Sequence, residues 1–210
     1  MRTTLTRIAA AILAASAAAG CGDVARTGRA PVQVVVQSLQ GAPGNAPDDF
    51  GNPLLSDVET FVTQPAPCSA QTPCRTFFND LAEAEMSLIL KDPGVPGAPA
   101  SPSDLNQVTF TRYRVVYRRS DGRNTPGVDV PQPIDAALTF TVPPGGTATV
   151  GFELVRNVAK REAPLLALID NGNIISTIAD VSFFGRDQVG NDVTATGSLT
   201  VNFGNFADRQ

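Results

Sequence analysis

Apolar residues along this chain recur at every second position, in short runs separated by Gly- and Pro-rich breaks. Alternation of this kind puts one set of side chains on one face of a strand, so each run predicts a strand with a buried face. Val32, Val34 and Val36 alternate with Gln33, Val35 and Gln37. Residues 54–62 carry a weaker version of the pattern. In residues 76–91 two signals conflict. Leu81-Ala82-Glu83-Ala84-Glu85-Met86 is rich in helix formers, yet Ala82, Ala84, Met86, Leu88 and Leu90 alternate with Glu83, Glu85, Ser87 and Lys91. Pattern outranks propensity, and the stretch is predicted as strand. Residues 107–119 put Tyr113, Val115 and Tyr117 on one face. Ala136, Leu138, Phe140 and Val142 lead into Pro143-Pro144-Gly145-Gly146, and Ala148, Val150, Phe152 and Leu154 follow, which reads as a hairpin. The rhythm stops in residues 156–169. There Pro164 followed by Leu165, Leu166 and Leu168 predicts a short helix within 160–169. The last two runs are the most regular. Ile175, Thr177, Ala179, Val181 and Phe183 form one inward row, and Val193, Ala195, Gly197, Leu199, Val201 and Phe203 the other. Thr194, Thr196, Ser198, Thr200 and Asn202 form the outward row.

About eight strands with Gly/Pro turns predict an all-β, antiparallel sandwich, a single domain over residues 31–206 with a tail at 207–210. The segment Phe183-Phe184-Gly185-Arg186-Asp187-Gln188-Val189-Gly190-Asn191-Asp192-Val193, with Asp187-x-x-Gly190-Asn191 between two strands, resembles the last hairpin of fibronectin type III and bacterial Ig-like domains. The resemblance implies an Ig-like sandwich. The chain contains no Trp, so the Ig pattern of two cysteines around a buried Trp is absent.

The N-terminus reads differently. Arg2 and Arg7 precede an Ala-dominated apolar run from Ile8 to Ala19. That run is short of the about 20 residues that span a bilayer, and reads as a signal peptide over residues 1–20. Ala18-Ala19-Gly20-Cys21 resembles the lipobox of bacterial lipoproteins, with Ala18 where that pattern favours Leu. The resemblance implies lipidation of Cys21 and membrane attachment. Gly22, rather than Asp, at the next position implies the outer membrane in preference to the inner. Residues 22–30 form a polar tether with a reach of about 15–20 Å.

An odd cysteine count in an exported chain asks for an explanation. Lipidation takes Cys21 of the three, and Cys68 and Cys74 remain, six positions apart. In an oxidising compartment they predict a disulfide. A metal pair would need two further ligands, and the chain has no His.

Composition narrows the chemistry further. Loss of Arg2 and Arg7 with the leader takes the net charge from −4 to −6, against a nucleic-acid partner. Without His there is no Ser-His-Asp or Cys-His centre and no His-ligated metal. Lys91 and Lys160 could in principle serve a Ser-Lys dyad, but neither sits in Ser-x-x-Lys, and both read as solvated lysines. Asp48-Asp49 reads as loop and Glu83/Glu85 as the outward row of a strand, rather than as a glycosidase pair. Arg112, Arg114 and Arg118 share a strand face. They form a possible anion-binding row, or a surface paired with Glu83 and Glu85 on a neighbouring strand. Asp187, Asn191 and Asp192, and separately Asp170, Asn171 and Asn173, offer oxygen ligands for Ca²⁺, but are also ordinary turn residues. The expectation is no cofactor, no metal and no catalysis: a membrane-tethered structural or protein-interaction module with an envelope protein as partner. A ligand-binding lipoprotein for carbohydrate or an anion is the alternative, and a hydrolase the third reading.

Overall fold

A computed structural model describes residues 29–206. The leader, Cys21, most of the tether and the tail fall outside the described residues. In chain order the strands are β1 (Val32–Ala42), β2 (Leu54–Asp57), β3 (Thr60–Val62), β4 (Cys74–Thr76), β5 (Asp80–Leu90), β6 (Gly94–Val95), β7 (Ala98–Pro99), β8 (Val108–Arg118), β9 (Ile134–Val142), β10 (Thr147–Val155), β11 (Ile175–Asp187) and β12 (Asp192–Gly204). Eight of them build an all-β sandwich. One sheet runs β1-β5-β10 and the other β2-β12-β11-β8-β9. Taking β1, β5 and β10 as strands A, B and E, and β8, β9, β11 and β12 as C, C′, F and G, gives the strand order of Ig-type sandwiches. The helical stretch is two short pieces, α1 (Asn157–Lys160) and a 3₁₀ turn at Leu165–Leu168.

Alternation decides which side chains meet between the sheets. Ala82, Ala84 and Met86 of β5 are fully buried, with Glu83 exposed between them, so the strand pattern prevails over helix propensity. β11 and β12 pair antiparallel from Ile175↔Phe203 to Arg186↔Asp192. Phe183, Leu199, Val201 and Phe203 are buried, Thr196 is exposed, and Thr200 and Asn202 are half-buried. Gly190 ends the turn at φ 90°, a conformation suited to glycine. Phe183 meets Phe152 of the opposite sheet edge-on at 5.3 Å, and Phe110 at 6.3 Å. Full burial of such a side chain contributes about 1.5–3 kcal/mol.

The structure refines the sequence reading of the fold in four places. First, β9 and β10 are not a hairpin. They lie in different sheets, so the turn between them carries the chain across the sandwich. Second, the sheets are not wholly antiparallel, because β2 runs parallel to β12. Third, residues 54–62 are two strands in different sheets, β2 and β3, rather than one. Fourth, Ala30, read from the sequence as lying outside the domain, is 2% exposed and packs into the core.

Among the register irregularities, two shift the inward row of a strand. Gln37 is extra against β5, and this brings Leu39 to the buried side with Val32 and Val34. Thr111 is extra against β11, so Phe110 joins Tyr113, Val115 and Tyr117 inside.

The sandwich has two distinct ends. Val32, where the described chain enters the sheet, pairs with Leu90, and the groove between Ala30 and Asp192 places the β11–β12 turn beside it. Ala42 pairs near Asp80 at the other end, where β2 and Gly204 also finish.

Candidate functional site

The far end holds a buried ionic cluster. Asp80 is the first residue of β5 and stands in the same inward row as Ala82 and Ala84. It is fully buried, and so is Lys160 at the end of α1. Lys160 Nζ donates to Asp80 Oδ1 at 2.8 Å and to the Asp57 carbonyl at 2.7 Å. Ser56 Oγ donates to Asp80 Oδ2 at 2.5 Å, and the Gly44 amide to Oδ1 at 2.9 Å. Desolvation pushes the Asp80 carboxyl above its usual range, opposed in part by the charge of Lys160 and the hydrogen bonds from Lys160, Ser56 and Gly44. The reading of Lys160 as solvated is therefore overturned: α1 folds its one lysine inward onto an acid that would otherwise be buried alone.

Further polar groups tie loops to this end. Asn79 Oδ1 accepts from the Asn157 amide at 2.7 Å and its Nδ2 donates to Glu153 at 2.8 Å, which seats α1. Asp57 Oδ1 accepts from the Phe206 amide at 3.1 Å. Glu59, 2% exposed, forms an ion pair with Arg75, although its Oε1 lacks hydrogen-bond geometry. Tyr113 donates to the Glu153 carbonyl at 3.1 Å and Tyr117 to that of Leu154, so β8 is stapled to β10 across the core. Burial raises the Tyr117 hydroxyl well above its ordinary pKa. Cys68 and Cys74 are joined, with Cα atoms 5.3 Å apart, closing the loop that leads into β4.

Ion pairs of a second kind lie on the outer face of the five-stranded sheet. Arg112, Arg114 and Arg118 are exposed side by side on β8. Their neighbours are β9 and β11, not β5, so Glu83 and Glu85 are in the other sheet and the expected pairing does not occur. Arg112 instead grips Asp135 at 2.6 and 2.5 Å, and Arg118 holds Asp180 at 2.5 Å. Ser198 donates to Asp180 at 2.6 Å. The hydrogen bonds from Arg112 hold Asp135 below the usual carboxylate range, and those from Arg118 and Ser198 outweigh desolvation to do the same for Asp180. Arg114 adds its field at Asp135. Arg112 also covers the Phe184 ring at 4.8 Å. Beside it a groove of about 640 Å³ is lined by Thr109, Thr111, Phe184, Arg186 and Gln188 among others.

The oxygen-rich turns are engaged in local structure. The Asp187 carboxylate accepts from the Val189 and Asn191 amides at 3.0 and 2.8 Å, and Asp192 pairs with Arg186 at 2.9 Å. Asn171 accepts from the Asn173 amide at 2.9 Å. Asp48 and Asp49 lie in an exposed loop, while Glu83 points outward. Among the described residues no group of three or more His, Cys, Asp or Glu is placed to hold a metal. Asp80, Asp57 and Glu59 escaped the sequence reading. One signal for Asp80 was available: it is an acid standing on the apolar parity of its strand.

Comparison with protein-family models, with curated proteins and with solved structures finds no match to this chain.

Proposed function

We propose that this chain is an exported lipoprotein, anchored in the cell envelope through Cys21, whose sandwich is a structural or protein-interaction module rather than a catalyst. The observation that carries the reading is how the cysteines are used. Cys68 and Cys74 are closed on each other, so Cys21 is the one cysteine of three left over, and it directly follows Ala18-Ala19-Gly20. A disulfide belongs to an oxidising compartment, which agrees with export. The non-catalytic part of the reading is supported by sealing: Lys160 and Asp80, at 1% and 0% exposure, are out of a substrate's reach. The proposed destination is the outer membrane, on the strength of Gly22. The proposed partner is another envelope protein.

A second reading, a ligand-binding lipoprotein, is favoured by the groove beside Phe184, whose half-buried ring is the nearest thing to a sugar platform. For an anion the surface is poorer, since Arg112 and Arg118 are already neutralised by Asp135 and Asp180.

Detergent phase partition with fatty-acid labelling tests the anchor. The wild-type chain should enter the detergent phase and carry label, and Cys21→Ser should lose the label and remain unprocessed or soluble. Wild-type protein found wholly in the soluble periplasmic fraction would overturn the proposal. Glycan-array binding that Phe184→Ala abolishes would select the second reading.

A further inference from the structure

The two long sides of the sandwich are finished differently. On one side β1 lies across β12, and Gly197 leaves the space this needs: a Cβ there would meet Val36 Cγ1 at 3.1 Å. On the other side β9 ends one sheet and β10 the other, and among the described residues no strand covers either edge. The inward row of β9 shows the difference. Ala136, Leu138 and Phe140 are only half-buried, whereas Ala179, Val181 and Phe183 of β11 are 0% exposed.

An edge strand presents unpaired N–H and C=O groups, and proteins usually blunt such edges with lysine, an internal proline or a bulge turned outward. β9, Ile-Asp-Ala-Ala-Leu-Thr-Phe-Thr-Val, carries neither lysine nor proline. Its ladder with β8 shifts register at Leu138 and Thr139, but its side chains alternate in burial without a break from Ile134 to Val142. Its one charge, Asp135, is neutralised by Arg112 on the sheet's outer face.

We propose that β9 pairs antiparallel with β9 of a second copy of this chain, about a two-fold axis at Leu138. An isologous contact of this kind must be self-complementary, and the β9 sequence is. With Leu138 opposite Leu138, Ile134 faces Val142 and Ala136 faces Phe140, so on the inner side the large ring meets the small side chain. On the outer side Ala137 faces Thr139, and Asp135 faces Thr141. The two Asp135 carboxylates stand six residues apart along the ladder. At about 3.3 Å per residue that is about 20 Å, beyond the Debye length of about 10 Å. Flanking prolines set the same register. Pro133 falls opposite Pro143, so neither, lacking an N–H, enters the ladder. A slip of two residues either way would bring one of them into it. The pairing extends the five-stranded sheet through the axis and covers the half-buried row.

The pairing does not rest on the lipid anchor, and it is tested in the full chain carrying Cys21→Ser. Sedimentation over a dilution series should give a species of about twice the monomer mass. Ala137→Lys with Thr139→Lys sets lysine against lysine across the axis on the exposed face. It should weaken the dimer about tenfold or more while leaving the melting temperature of the monomer unchanged. Oxidation should crosslink Leu138→Cys to itself, but crosslink Ala136→Cys efficiently only when mixed with Phe140→Cys. A chain that sediments as a monomer at every concentration overturns the proposal. So does a dimer indifferent to the two lysines, or one whose crosslinks ignore the register. Crosslinking of Leu138→Cys to another envelope protein, with no self-crosslink, would assign the edge to that partner instead.

Discussion

Lys160–Asp80 and Arg112–Asp135 are ion pairs of nearly equal length, 2.8 and 2.5 Å, in opposite surroundings. The first is sealed at 1% and 0% exposure; the second lies open at 50% and 47%. Water screens the exposed pair and solvates each partner when the other is removed, so such pairs are worth about 0–1 kcal/mol. In the buried pair each charge depends on the other, because desolvation of either alone costs several kcal/mol. Closeness of contact therefore says little about what a pair contributes. The buried pair matters as a lock: if Lys160 leaves, α1 loses its seat and Asp80 its counter-charge together.

Breaking the buried pair should have the largest effect. Asp80→Asn is expected to lower stability by about 3–5 kcal/mol, read as a shift in the urea midpoint. Replacing both partners with apolar residues of similar volume, Lys160→Met with Asp80→Leu, should recover most of that loss. Recovery would show that the cluster fixes the position of α1 more than it stabilises the fold, although Ser56 and Gly44 would lose their acceptor. Comparable in size is Phe203→Ala, which empties a fully buried site at a cost of about 3–5 kcal/mol. Thr200→Ser on the same strand should stay within about 0.5 kcal/mol, and equal midpoints for the two would mean that the register is wrong.

Smaller effects sharpen the exposed side of the comparison. Asp135→Asn and Asp180→Asn should each change stability by no more than about 1 kcal/mol, and added salt should erase the difference. The smallest effect concerns Asp121, in the loop after β8. Desolvation raises its carboxyl, but the Arg123 amide and side chain and the Arg119 side chain outweigh this and lower it to about 2. Its folded value is depressed, so its contribution is present above the unfolded value of about 3.9 and is lost as pH falls from there towards 2. Carbon-detected NMR titration of the Asp121 carboxyl should show a midpoint near 2, and Arg123→Ala should raise it.

Much of this was legible in the chain because it is local. The inward faces of β11 and β12 could be read from the chain, since period-2 alternation on either side of a turn at Asp187–Gly190 puts Phe183 and Phe203 inward. The bulges at Gln37 and Thr111 were not legible: each is defined by a partner strand that the alternation does not name. Residues 136–154 misled for a related reason. Two alternating runs joined by Pro143-Pro144-Gly145-Gly146 satisfy a hairpin and a sheet crossing equally well, because both put the same side chains inward. Lys160 was misread because its partner is eighty positions away. Asp80 on an apolar row was the better clue, since a buried acid obliges some cation to follow it in.

The chain enters the sandwich at Val32 and leaves β12 at Gly204, at opposite ends of the strands. If a lipid holds the entry side and a partner grips the far end, with its disulfide loop and α1, a pull between them runs along the strands. Ladder hydrogen bonds lie across that direction, so the ten paired positions of β1 and β5 would share the load in shear instead of parting one at a time. As a mechanical element the sandwich is then a link set lengthwise between its anchor and whatever it holds.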